Sequence, residues 1–128
     1  MECDEPYIFT DKHLHAEWTF IEMLDERLAA TDAIAVAVGS GTINDLCKLC
    51  SHHQNRPYMC VATAASVDGY SSFGASITYK NMKQTFTCPA PKAILADVGV
   101  MAKAPAEMTA AGYADLAAKI PAGAEWII

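Results

Sequence analysis

At 128 residues with 52% hydrophobic content, the chain is long enough for one domain with a real core, and an ordered chain is expected. Its net charge of −6, from 15 acidic and 9 basic residues, includes no basic patch of the kind that grips a phosphate backbone, so no nucleic-acid partner is expected. No apolar run approaches a membrane span, Met1-Glu2-Cys3-Asp4-Glu5 does not start like a signal peptide, and five cysteines in a chain of this size fit a reduced, cytoplasmic protein better than a disulfide scaffold.

In chain order, Tyr7-Ile8-Phe9 reads as a short strand, and Thr10 or Asp11 is placed to cap the next helix. From about Leu14 to Ala30 the residues Trp18, Ile21, Leu24 and Leu28 recur at helical spacing, with His13 and His15 as surface residues at the helix start. Ala33 to Val38 are six apolar residues rich in Ile and Val, the length and composition of a buried parallel strand. A glycine-rich turn comes directly after it. Thr42 to about His53 then reads as a helix, with Ile43, Leu46, Leu49 and Cys50 on one stripe and Asn55-Arg56-Pro57 as its break. Tyr58 to Val61 is a second buried strand, Gly69 to Gly74 is loop-like, and Ala75 to Tyr79 reads as a strand. Pro89 and Pro91 precede a third short strand, Ala93 to Ala96. Pro105 suits the first turn of a helix beginning near Ala106, which is rich in Ala, Met and Leu, weakened by Gly112 and ended by Pro121 and Gly123. Alternating strands and helices predict an α/β fold, a Rossmann-like parallel sheet with flanking helices.

Four stretches carry candidate chemistry. The first is Gly39-Ser40-Gly41-Thr42-Ile43-Asn44-Asp45, where glycines and a helix N-terminus come after a strand. Such a turn admits a pyrophosphate, although it matches neither a P-loop nor a G-x-G-x-x-G fingerprint, and a plain strand-to-helix turn is the alternative. The second is Thr63-Ala64-Ala65-Ser66-Val67-Asp68-Gly69-Tyr70-Ser71-Ser72, also at the carboxyl end of a strand. Its hydroxyls suit a cofactor and its Asp68 suits substrate hydroxyls, with a solvated polar loop as the alternative. The third is Asp115, a lone carboxylate among alanines, which suits a metal or an exposed helix surface. The fourth, Cys47-x-x-Cys50-x-His52-His53, has the look of a zinc site but reads as buried thiols beside helix-end histidines.

Three motifs coincide in order: Val36 to Leu46, Thr63 to Tyr70, and Thr109 to Leu116 with Lys119 to Trp126 after it. In this combination, from about Phe9 to Ile128, the chain resembles the bacterial type of sn-glycerol-1-phosphate dehydrogenases. These belong to the iron-containing alcohol dehydrogenase, glycerol dehydrogenase and dehydroquinate synthase superfamily. The resemblance implies a partial nucleotide-binding domain over residues 1–104 of a dehydroquinate synthase-like fold, with residues 105–128 starting a helical metal-binding domain. It implies that Gly39, Ser40, Gly41, Thr42, Ile43, Asn44 and Asp45 bind the pyrophosphate of NAD(H) or NADP(H), and that Thr63, Ala64, Ala65, Ser66 and Ser72 line the nicotinamide side. Asp68 would contact the substrate, glycerol 1-phosphate or dihydroxyacetone phosphate. Asp115 would be the first protein ligand of zinc or nickel, acting as a Lewis acid on the substrate oxygen. The family leaves a homo-oligomer open.

Members of that family have a further N-terminal part and continue into a helical domain that supplies two histidine ligands and much of the phosphate site. The four histidines here lie before residue 54, and Ala62 stands where relatives often carry Pro. The chain is therefore expected to be an excised or truncated segment with one metal ligand, where catalytic zinc takes three. Three readings result: a segment of a glycerol-1-phosphate dehydrogenase, a segment of a glycerol or polyol dehydrogenase, or a nucleotide-binding fragment without catalysis.

Overall fold

The computed structural model of the protein describes residues 3–11 and 14–127, so His13 lies outside the described residues. Three strands, β1 (Val36–Gly39), β2 (Met59–Ala62) and β5 (Ala93–Ala96), form a parallel sheet in the order β1-β2-β5. A separate antiparallel hairpin joins β3 (Ala75–Tyr79) to β4 (Met82–Phe86). Among the described residues, five α-helices complete the architecture: α1 (Trp18–Ala29), α2 (Gly41–His53), α3 (Val98–Met101), α4 (Ala106–Ala117) and α5 (Lys119–Glu125). The α/β class with a parallel sheet is as expected from the sequence.

Helix α2 is the centre of the molecule. Leu46, Leu49 and Cys50 pack against Ile21 and Leu24 of α1 and Ala75 and Ile77 of β3, and Phe9, Trp18 and Phe86 close the periphery. Ile43 and Cys47 pack instead on Ala37 and Cys60 of the sheet and on Tyr58, which lies just before β2 rather than within it. A third side of α2 buries Asn44, Lys48 and Ser51. A helix covered on three sides cannot be amphipathic in the simple sense, which is why its single apolar stripe only partly describes it.

Several expectations are corrected. Tyr7 to Phe9 form no strand. Tyr7 stacks edge-on against Phe9, its hydroxyl approaches Met23 Sδ at 3.2 Å and Arg27 covers its ring, so aromatic packing on α1 replaces strand pairing. Helix α1 starts at Trp18, with Glu17 in the cap position and no side-chain cap bond, so neither Thr10 nor Asp11 caps it. Exposed His15 precedes α1 by three positions. The strand expected over residues 33–38 pairs only from Val36, and it is not buried on both faces. Val36 and Val38 are 55% and 60% exposed while Ala37 is buried, because α2 covers one face and, among the described residues, no helix covers the other. Strand β5 is exposed throughout.

The strand β4 was not foreseen. Its entry turn places Lys80 and Asn81 at φ of 50° and 62°, the left-handed pair that a two-residue hairpin requires. Pro105 immediately precedes α4 rather than joining its first turn. Pro121 and Gly123 do not end the helical region, since α5 runs through both. Pro121 is its third residue, where a missing N–H costs no helical hydrogen bond. No helix among the described residues is long and apolar enough to cross a membrane.

Candidate functional site

Parallel pairing brings the ends of β1 and β2 together, so the loops leaving them share one sheet edge. The Thr63 N–H donates to the Gly39 carbonyl at 3.1 Å. The glycines of the first turn are required by space. A Cβ at Gly39 would lie 2.7 Å from Ile43, and one at Gly41 would lie 2.7 Å from Val67. Ser40 occupies the N-cap of α2 in extended conformation without a side-chain cap bond, and the Gly41 N–H faces Ser66 Oγ at 3.5 Å. The first-turn amides of α2 thus open on a cavity of about 320 Å³ shared by Ser40, Gly41, Thr42, Ser66 and Met108.

Not every residue of the turn faces that cavity. Ile43 packs on the sheet, and Asn44 is buried, accepting from the Tyr58 hydroxyl at 3.0 Å. Asp45 accepts from the Ser76 N–H at 3.2 Å, and burial pushes its carboxyl above the ordinary range against the opposing pull of that bond and of Lys48. In the second loop, the Ala64 carbonyl accepts from the Tyr70 hydroxyl at 2.7 Å, and Ser72 Oγ donates to the Gly69 carbonyl at 2.8 Å.

Helix α4 closes the site from outside. Met108, Gly112 and Asp115 recur on its inward stripe, all half-buried. Gly112 permits the approach: a Cβ there would overlap the Ala65 carbonyl oxygen and sit 2.9 Å from its carbon. A glycine that weakens the helix locally is what lets the helix dock. Docking delivers the Asp115 carboxylate to the Asp68 N–H at 3.1 Å. Lys119, one turn on, lies 3.3 Å from Asp115 and 3.4 Å from the Asp68 carboxylate. The Asp68 N–H, with the ammonium of Lys119, holds the Asp115 carboxyl below its ordinary value. Asp45, Asp68, Ser72, Lys83, Asp115 and Lys119 share a second cleft of about 590 Å³.

Two lysines escaped the sequence reading. Lys48 is fully buried, and its ammonium donates to the carbonyls of Ser72 at 2.9 Å, Gly74 at 3.0 Å and Gly69 at 3.4 Å, with Asp45 at 3.8 Å. The polar stripe Asn44, Lys48, Ser51 at helical spacing was its signal. For Lys119 the signal was its position four residues after Asp115, the spacing of a helical ion pair.

Among the described residues no three histidine, cysteine or acidic side chains converge in a way that could hold a metal. Asp68 and Asp115 already share the Lys119 ammonium. By themselves these donors do not fit a catalytic metal, which takes three protein ligands. The Cys47–His53 stretch is not a metal centre either: Cys50 is buried, burial pushes the Cys47 thiol up to about 12, and His53 Nδ1 pairs with Asp25 at 2.6 Å on the surface.

A glycine turn and a hydroxyl-rich loop at the carboxyl edge of a parallel sheet, beside a carboxylate-lined cleft, define a Rossmann-like α/β module. The chain belongs to the iron-containing alcohol dehydrogenase family, whose pattern it matches over residues 3–105. It is 40% identical over 95 residues to a glycerol-1-phosphate dehydrogenase [NAD(P)+] of Bacillus licheniformis, covering 74% of this chain and 24% of that one. It is 38% identical over 110 residues to the enzyme of the same name from Geobacillus stearothermophilus, covering 86% and 27%. Its fold matches glycerol dehydrogenase from Schizosaccharomyces pombe with a TM-score of 0.66 at 26% identity, covering 79% of this chain and 26% of that one. The chain thus spans about a quarter of the length of the curated relatives it matches.

Proposed function

We propose that the chain is the cofactor-side segment of an NAD(P)-dependent glycerol-1-phosphate dehydrogenase, which reduces dihydroxyacetone phosphate reversibly. The observation that carries this reading is the docking of α4 through Gly112. It sets Asp115 against Asp68 within reach of the loop that also meets the Gly39–Gly41 turn. The similarity to enzymes named glycerol-1-phosphate dehydrogenase [NAD(P)+] supports the substrate and the cofactor.

In this reading the amides and glycines of Gly39–Thr42 receive the pyrophosphate, and Ser66 and Ser72 present hydroxyls on the nicotinamide side. Asp45 fixes the turn from below through the Ser76 N–H, and Asp68 accepts a hydrogen bond from a substrate hydroxyl. The bound nicotinamide supplies the hydride chemistry. Asp115 is proposed as the one carboxylate given to a zinc or nickel ion whose other ligands lie outside these residues. Residues 105 onward are read as the start of the helical domain. Five free thiols, four of them at least partly buried, support a reduced, cytoplasmic setting.

The test is to replace the matching segment of the Geobacillus stearothermophilus relative with this chain and to assay NADH and NADPH oxidation with added Zn²⁺ or Ni²⁺. Oxidation driven by dihydroxyacetone phosphate supports the proposal, and no oxidation with either metal overturns it. For the chain alone, the small donor set favours a second reading, nucleotide binding without turnover. Saturable NADH binding with no oxidation supports that reading.

A further inference from the structure

We propose that Lys48 is a positioning residue that locks the Asp68–Gly74 loop onto the helix bearing the cofactor turn. The inference rests on the reading above, in which that loop carries the substrate-side and nicotinamide-side groups.

A fully buried ammonium is costly unless its charge and its three protons are satisfied. Lys48 meets that condition almost entirely with one short loop: the carbonyls of Gly69, Ser72 and Gly74, with the Asp45 carboxylate completing the shell. At its start the loop is tied to α4 and Lys119, by the Asp68 N–H to Asp115 and by the Asp68 carboxylate to the Lys119 ammonium. Beyond Asp68 it contains one turn of 3-10 helix over Gly69–Ser71, tied by the local bonds of Ser72 to Gly69, by Tyr70 to Ala64, and by the Gly74 N–H to the Cys88 carbonyl at 2.7 Å. An apolar side chain of equal length would fill the same space without charge burial. The ammonium adds direction, turning three carbonyls inward and so fixing which way Asp68 and Ser72 face. Lys48 lies one turn beyond Asn44 and Asp45 on α2, so the turn and the loop move as one body. The other charged groups facing this node are Asp45 and Lys83, which both line the cleft.

Lys48→Ala in the full chain removes the atoms of a propylammonium ion, which permits chemical rescue. Amide exchange over residues 68–74 should quicken by about tenfold while β2 is unchanged, and NADH affinity should fall by about tenfold. Added n-propylammonium should restore both, and n-propanol, equal in size but neutral, should restore neither. Unchanged exchange over residues 68–74, or equal rescue by propanol, overturns the proposal, since either outcome leaves the lysine a space-filler. Should Lys48→Ala not fold, Lys48→Met retains the volume without the charge and must show the same loosening. On the wild-type chain, lysine Nζ spectra should contain one ammonium shielded from solvent exchange, and a spectrum in which every ammonium exchanges freely contradicts the proposal whatever the variants do. If the wild type binds no NADH, the nucleotide reading fails, and the exchange data still judge Lys48.

Discussion

Two lysine–carboxylate clusters lie beside one cleft, and water reaches only one of the two ammonium groups. In the inner cluster the Lys48 side chain is 0% exposed beside Asp45, whereas in the outer one Lys119 is 58% exposed between Asp68 and Asp115. The Lys48 ammonium is poorly screened and bound to backbone carbonyls, so its removal strands buried polar groups. The Lys119 ammonium is open to solvent, so salt screens it and other ligands can compete for it. The same pair of residue types thus builds a scaffold on one side and an accessible site on the other. The proton response differs too: burial raises Asp45, and the Asp68 N–H with Lys119 lowers Asp115.

The sharpest way to break this comparison is to remove each ammonium. In urea denaturation, Lys48→Met should lose about 3–5 kcal/mol. Lys119→Met should leave the urea midpoint unchanged. Equal losses would mean that the two clusters do not differ in the way described. Next in size is the contact of α4 with the second loop at Gly112. Gly112→Val should cost about 1–3 kcal/mol of α4 docking through overpacking against Ala65. Trypsin should then cut faster after Lys119, while the melting of the sheet and α2 is unaffected. An unchanged cleavage rate would remove Gly112 from its role.

The smallest expected effect is in the proton titration. Asp115 has its folded value below the unfolded 3.8, so its contribution is complete above that pH and is lost as pH falls through the lowered value. Asp45 has its folded value above 3.8, so its contribution is complete below that pH and is lost as pH rises through the raised value. Carboxyl carbon shifts tracked from pH 2 to 7 (a range of about five units around the ordinary carboxylate value) should therefore show Asp115 titrating first and Asp45 later. The reverse order would contradict the assignment of the clusters.

Much of this was legible in the chain, for physical reasons that can be named. The glycine turn, α2 and β5 announced themselves because Gly, Pro and apolar runs act locally. Strand β4 did not, since Met82-Lys83-Gln84-Thr85-Phe86 shows neither alternation nor β-branched enrichment, and only the Lys80-Asn81 turn hints at it. The continuation through Pro121 was missed because the same proline that breaks a helix interior is tolerated in a first turn. The exposure of Val36 and Val38 depends on what lies over the sheet, which their own sequence does not encode. Asp68 and Asp115 were recognisable as acids in an unusual context. Their meeting depends on the Gly112 contact across 47 residues, and Lys48 acquires its role only once the loop folds onto it.

The central claim is that the Gly39–Gly41 turn and the loop it touches form a nucleotide site, and fluorescence titration with NADH and NADPH tests it most directly. The account predicts saturable binding of at least one nucleotide by the wild-type chain. Binding should be weakened by about tenfold or more in Gly41→Val, whose added carbons would drive Val67 and its loop away from α2. No saturable binding of either nucleotide, or equal affinity in Gly41→Val, would contradict it.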